Sequence, residues 1–267
     1  MGSVFLRTLR GYRTAFLFVA AGVVAFEMLI ALIWRSLGEQ ATLAFIEAMP
    51  PDMKDLIERQ FGFVPTGSLS GWLAGLNRHP IYLVLLASFA IGTAAAAVAR
   101  EIERGSILLV LAPPIARWRF LLGKDLAGAL GLLALTSVTV AGLYAGALAV
   151  GEPLRVERFF WVAANGYLLF LAIGGLALLL SAVGDDAGGA AGRAAGVVLA
   201  AYFLDFLANL WGRAEFLGPL SLFHYYDPAH IVRTGAVPWG DMAVLLLMGL
   251  ALRGVALAVF QGRDIAR

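Results

Sequence analysis

The sequence predicts an all-α membrane protein with six transmembrane helices. Three observations carry that prediction. Of 267 residues, 61% are hydrophobic and only 14% charged, where a soluble domain carries about 25% charged residues. Several apolar runs reach the roughly 20 residues needed to cross a hydrocarbon core. These runs do not alternate apolar and polar positions, as the roughly 10-residue strands of a membrane β-barrel would. The mean hydropathy of +0.84 agrees. Six spans leave little chain over, so residues 1–267 read as a single transmembrane domain.

The elements follow in order. Residues 3–12 mix apolar and basic positions at near-helical spacing, which predicts an N-terminal amphipathic helix on the membrane surface. Span one covers 14–34. It is too long for the apolar core of a secretory signal and is expected to be retained. Residues 36–80 are mostly polar, with an amphipathic stretch over 41–61 broken at Pro50-Pro51. Pro51 followed by Asp52 reads as a helix start, because proline suits the first turn and an acid suits the positive end of the helix dipole.

Span two covers 81–99, followed by a charged segment, 100–124. Span three covers 125–150 and ends at Gly151-Glu152-Pro153. Span four covers 159–183. A glycine-rich turn over 184–193 leads to span five at 194–211. Residues 212–240 contain Pro219, Pro228 and Pro238. They are too polar to span and too apolar for an ordinary loop. This predicts a partly re-entrant outer segment, allowed at depth only where protein or water covers it. The alternative is an aromatic belt at the interface. Span six covers 241–260.

Orientation follows from Lys and Arg. With the N-terminus inside, the inner segments carry eleven basic residues and the longer outer segments carry eight. That excess has the sign expected when both termini are cytoplasmic. The net charge of +2 sets topology and gives no argument for nucleic acid. The absence of cysteine removes disulfides, thiol nucleophiles and Cys-ligated metals.

The segment 101–124 is the most informative. Glu101 and Glu103 precede the apolar stretch Ile107–Leu111, and Pro113-Pro114 stops any helix there. Arg117, Arg119 and Lys124 follow, with Trp118 and Phe120 between them. One reading is a surface helix held by acidic lipid, which explains the Arg and Trp but not the paired glutamates. The other is a docking helix whose acidic end meets a basic cleft on a cytoplasmic protein.

The stretch resembles the cytoplasmic loop of type-2 ABC transporter permeases, with Glu101, Gly105, Ser106, Leu111, Pro114, Ile115, Arg117, Gly123 and Lys124 at matching spacing. Pro113-Pro114 departs from the single proline of that pattern. The six spans, a sizeable first outer loop, the aromatic run Phe223–Pro228 and the ending Phe260–Asp264 are similar to the same family. The resemblance implies a cytoplasmic coupling helix over Glu101–Leu111. It implies two permease chains, identical or related, with two cytoplasmic ATPase subunits that carry ATP and Mg and dock at 101–124. It implies an exporter of drug-like, lipid, glycan or ionic cargo in a bacterial cytoplasmic membrane.

This chain offers no G-x-x-x-x-G-K-[ST] loop: Gly123-Lys124 is followed by Asp125 and lacks the upstream glycine. It therefore reads as no enzyme and as holding no cofactor of its own. His224, Asp227 and His230 are spaced three apart, but Pro228 interrupts them, and they are not taken as a metal site.

Glu27, Asp205 and Arg253 fall inside spans. A charge at the bilayer centre costs about 2.5–3.5 kcal/mol on insertion scales, so each should face protein or a water-filled cavity. Arg253 is long enough to snorkel to the inner surface. Glu27 and Asp205 are candidates for a translocation cavity, or for hydrogen bonds between helices, with Tyr202 or Asn209 as partners for Asp205. They also support an ion-gradient-driven transporter as an alternative function, and a non-transporting membrane anchor is a third. The Gly188, Gly192, Gly196 series suits either close helix approach or a flexible turn.

Overall fold

A computed structural model describes residues 2–61, 68–107 and 116–264. Among them, five helices are long and apolar enough to cross a membrane. A bent pair, Leu69–Leu76 and Pro80–Ala95, meets at 48° and brings the count to six as one broken span. The described residues contain helices, turns and no strand.

Helix α1, Gly2–Glu47, is continuous through the residues expected to form a separate surface helix. Nothing between Tyr12 and Thr14 breaks it. Tyr12 also packs edge-on against Phe89 and donates to the Thr93 carbonyl at 3.0 Å. Contact with a neighbouring helix thus holds this part of α1. The helix kinks at Gly38, whose φ of 72° suits glycine. Helix α2, Pro51–Phe61, begins at the expected proline with Asp52 in its first turn.

Helix α3, Leu69–Leu76, and α4, Pro80–Ala95, form the broken span. Helix α3 falls in the expected outer segment 36–80, because its eight residues are too few to span alone. His79, before Pro80, is extended, as that position requires. Its Nδ1 accepts from the Ile81 amide at 3.2 Å, so it caps α4.

Helix α4 ends at Ala95, four residues before the expected edge, and α5, Ala99–Glu103, follows a turn. Ser181 repairs the break. Its hydroxyl donates to the Ala95 carbonyl at 2.7 Å and accepts from the amides of Val98 and Ala99 at 3.0 and 3.1 Å.

Helix α6, Arg117–Val150, starts eight residues before the expected span, so Arg117, Arg119 and Lys124 lie on a helix. It ends at Gly151 in the left-handed conformation. Helix α7 is Val156–Val183. Helix α8, Ala187–Leu210, starts inside the expected glycine-rich turn, because the Asp186 carboxylate accepts from the Gly189 amide and caps it. Helix α10, Trp239–Gly262, is the last span.

Between α8 and α10 lie two 3₁₀ stretches, Gly212–Leu220 and Leu222–Tyr225, and α9, Pro228–Thr234. Ser221 donates to the Ala201 carbonyl at 2.7 Å. Ala201 is nine residues from the end of α8, so the segment returns about 14 Å down that helix. Leu222, Phe223, Tyr226, Ile231 and Val232 are buried there, as expected of a segment that dips back and is covered by protein. Helix α7 is the most buried of the five unbroken spans, at 67% against 22–39% for the others. It packs between α4 and α10, while α1 lies along α6.

Candidate coupling site and intramembrane charges

The start of α1, at Val4, and the end of α10, at Phe260, meet α5 at one end of the bundle. The site is built on an apolar base in which Val98, Ile107, Phe120, Leu121, Leu178 and Phe260 cluster. Above it, Lys124 of α6 donates to Glu101 Oε1 at 2.6 Å, and Ser106 donates to Glu101 Oε2. Burial pushes the Glu101 carboxyl up, but the hydrogen bonds from Lys124 and Ser106 and the Lys124 charge outweigh it and hold the group below the ordinary glutamate range. Glu101 thus faces inward and ties α5 to α6.

Glu103 accepts from the Ala187 amide at 3.2 Å, at the first turn of α8, where a negative charge is favoured. Helix α5 ends at Glu103, and Gly105 turns the chain with φ of 65°. The expected helix from Glu101 to Leu111 is therefore interrupted at Gly105. Leu111, Pro114 and Ile115 lie outside the described residues. Arg117 donates to the Arg263 carbonyl at 2.5 Å. Arg263 in turn donates to the carbonyls of Ala182 and Gly184 at 2.9 and 2.8 Å and pairs with Asp185. Five helices, α5 to α8 and α10, are joined at this end. Glu103, Arg104, Trp118 and Arg119 are exposed on it.

The intramembrane charges divide by partner. Asp205 pairs with Arg78 at 2.6 Å and accepts from Asn209 at 3.3 Å. Arg78 also donates to the Phe223 carbonyl at 3.3 Å. The Asn209 bond was among the expected partners. Arg78 falls in the expected outer segment, and the structure places it at the bend of the broken span. Arg253 does not snorkel. Its Nε donates to both oxygens of Asp125 at 3.1 and 3.0 Å, and Nη1 to the carbonyls of Leu171 and Gly249 at 2.6 and 3.1 Å.

Asp125, the first residue of the expected third span, lies inside α6 facing Arg253. Glu27 is fully buried against Gly142 and Gly146 of α6, and neither of its oxygens has a partner among the described residues. Neither Glu27 nor Asp205 lines the cavity of about 370 Å³ beside α3, α7 and α9 or the one of about 400 Å³ beside α1, α3 and the end of α6. Asp227 accepts from the His230 amide at 2.9 Å and so caps α9.

This arrangement can carry a displacement. A push on α5 or its turn reaches α6 through Glu101–Lys124, α8 through Glu103 and α7 through Ser181. The chain matches the model of the ABC-2 family transporter protein family over residues 8–265. No curated protein matches it. Permeases of this family generally work with ABC ATPase subunits. The chain belongs to the ABC-2 transporter family, as a multi-span transmembrane transport subunit that is not itself catalytic.

Proposed function

We propose that the chain is the permease of an ATP-driven exporter in a bacterial cytoplasmic membrane, with both termini cytoplasmic. Two permease chains, identical or related, surround the path, and each docks one cytoplasmic ATPase at the 101–124 segment. ATP and Mg belong to those partners. Closure of the ATPases pushes on α5 and its turn, and the two six-span halves rock to open the path outward. Drug-like, lipid, glycan and ionic cargo all remain compatible.

The observation that carries this reading is the mooring of α5. An exposed turn with Glu103 and Arg104 outside is fixed beneath by Lys124, Ser106 and Ser181. A loop that only joined two spans would not need ties to three helices. Because Glu101 is occupied by Lys124, the ion pair is treated as the strut of the docking unit, and the exposed Glu103 and Arg104 as its contact face. Gly105 supplies the turn, and Arg117 fixes the start of α6.

The test is a charge swap. Lys124→Glu should sharply weaken co-purification of the ATPase subunit from native membranes in mild detergent, and Glu101→Lys with Lys124→Glu should restore most of it. Full retention of the ATPase by Lys124→Glu, or full transport with no ATPase bound, would sink the proposal.

One observation keeps the gradient-driven alternative open. Asp205 is neutralised by Arg78, but Glu27 has no partner among the described residues. Transport in vesicles without ATP that stops when the ion gradient is collapsed would favour that reading.

A further inference from the structure

The start of α1 carries three arginines that the coupling network does not use. Arg7, Arg10 and Arg13 stand at three-residue intervals and are exposed. At about 100° per residue they share one face of the helix, with Arg10 at its centre. The other face meets the bundle: Tyr12 and Phe16 pack edge-on against Phe89, and Val19 and Val23 are buried.

The chain does not balance these charges. None of the three side chains makes a hydrogen bond or an ion pair with a described residue. Along α1 the first acid is Glu27, about 21 Å beyond Arg13 and fully buried. Glu101 of α5 feels the Arg7 charge through space, but its two oxygens are taken by Lys124 and Ser106. Glu103, the other acid of α5, turns to α8 and accepts from the Ala187 amide. The charges of Arg7 and Arg100 both reach Lys124, so α5 brings a further exposed cation to the same neighbourhood. Like charges so gathered favour an anion from outside the chain.

The depth of the face says which anion. Below Arg13 it continues as Leu17, Ala21 and Val24, all exposed, and exposed apolar side chains on a spanning helix face hydrocarbon. At the other end, Val4 packs against the cluster that holds Phe120. Trp118, two residues before Phe120, is exposed there, as tryptophan is at the level of lipid headgroups. Arg7 to Arg13 covers about 9 Å along the helix axis, close to the roughly 5–7 Å of one headgroup layer. An amphiphile matches both halves of this face, and a soluble anion matches only the basic half.

We propose that the face of α1 bearing Arg7, Arg10 and Arg13 binds an anionic phospholipid, its phosphate beside the arginines and an acyl chain along Leu17. The site does not depend on ATP coupling and stands or falls apart from the exporter reading.

The test uses the purified full chain in neutral detergent, with bound lipids counted by native mass spectrometry. Phosphatidylglycerol is titrated, with phosphatidylcholine of the same chains as the zwitterionic control and glycerol phosphate as the headgroup without chains. Phosphatidylglycerol should bind saturably and at least several-fold more tightly than phosphatidylcholine. Arg10→Gln with Arg13→Gln should weaken its first binding step by roughly tenfold or more, at about fivefold for each cation near an anionic headgroup. Arg10→Lys with Arg13→Lys should keep most of the binding. Neither arginine has a bond to lose, so the unfolding temperature should stay unchanged in both variants. Equal binding of phosphatidylcholine, binding unaltered by the glutamine pair, full competition by glycerol phosphate, or a second copy of the chain covering this face in place of lipid overturns the proposal.

Discussion

Arg78 and Asp205 meet at 2.6 Å, with 7% and 2% of their side chains exposed. Taking either away leaves a buried charge with no counter-charge. Asp205→Asn is expected to lower unfolding stability in detergent by about 3–5 kcal/mol, and Arg78→Met with Asp205→Leu together to regain most of it. A single variant as stable as the parent would show that the pair is solvated in the working protein. The pair also shows what a sequence can reveal about charges. The cost of a bare carboxylate in hydrocarbon marks Asp205 as needing protein around it, and Asn209, one turn away, is a partner found by helical spacing. Arg78 is 127 positions away in the chain and Arg253 is 128 from Asp125. No periodicity links residues at that distance. The snorkelling expectation for Arg253 considered only its length, and the acid facing it from α6 prevails.

At the scale of elements, apolar run length located the spans but misplaced several ends. Each error has a local cause: the Asp186 cap starts α8 early, a helix continues beyond its apolar run in α6, and α3 is too short to register alone. The charged segment 100–124 is legible as a unit from its paired acids, glycine, serine and basic residues, and the ties of Glu101 to α6 and of Glu103 to α8 are not. Glycine spacing was equally ambiguous. Gly188, Gly192 and Gly196 attract notice at four-residue intervals, yet a methyl group built on Gly192 or Gly196 meets nothing within 4 Å.

Gly142 and Gly146 share that interval and are the packed ones. A methyl group on Gly146 would lie 2.9 Å from the Ala31 Cβ of α1. Helix backbones that close cannot part without losing contacts along the seam. Gly146→Val is therefore expected to lower stability by about 1–3 kcal/mol. Gly192→Ala should be neutral or raise it by up to about 1 kcal/mol, since alanine favours the helix. Thermal unfolding in detergent separates the two. Equal effects would mean that the α1–α6 seam opens freely, or that Gly192 faces a second chain.

Across the whole molecule the two ends differ in kind. One end carries a hollow lined by Arg155, Arg158 and Arg233, and the other gathers the start of α1 and the end of α10 with α5 and the network around Glu101. That network makes mechanical continuity at the coupling end sensitive to acid. The Glu101 carboxyl is held below the ordinary glutamate range, with burial opposing and Lys124 and Ser106 prevailing. A depressed carboxylate contributes stability that is complete above its unfolded value and is lost as pH falls through the folded one. The tie from α5 to α6 should hold at neutral pH and loosen only in acid, below the range in which free glutamate titrates.

The chain has no cysteine, so Arg104→Cys gives a single spin-label position beside the turn. Label mobility is expected to be low at neutral pH and to rise on acidification, with a midpoint below that of free glutamate. Adding Lys124→Met removes the stabilising partner and leaves burial, which raises the carboxyl, so the midpoint should move to higher pH. A midpoint that does not move in Lys124→Met, or mobility that rises with increasing pH, would mean that α5 is not held by this ion pair.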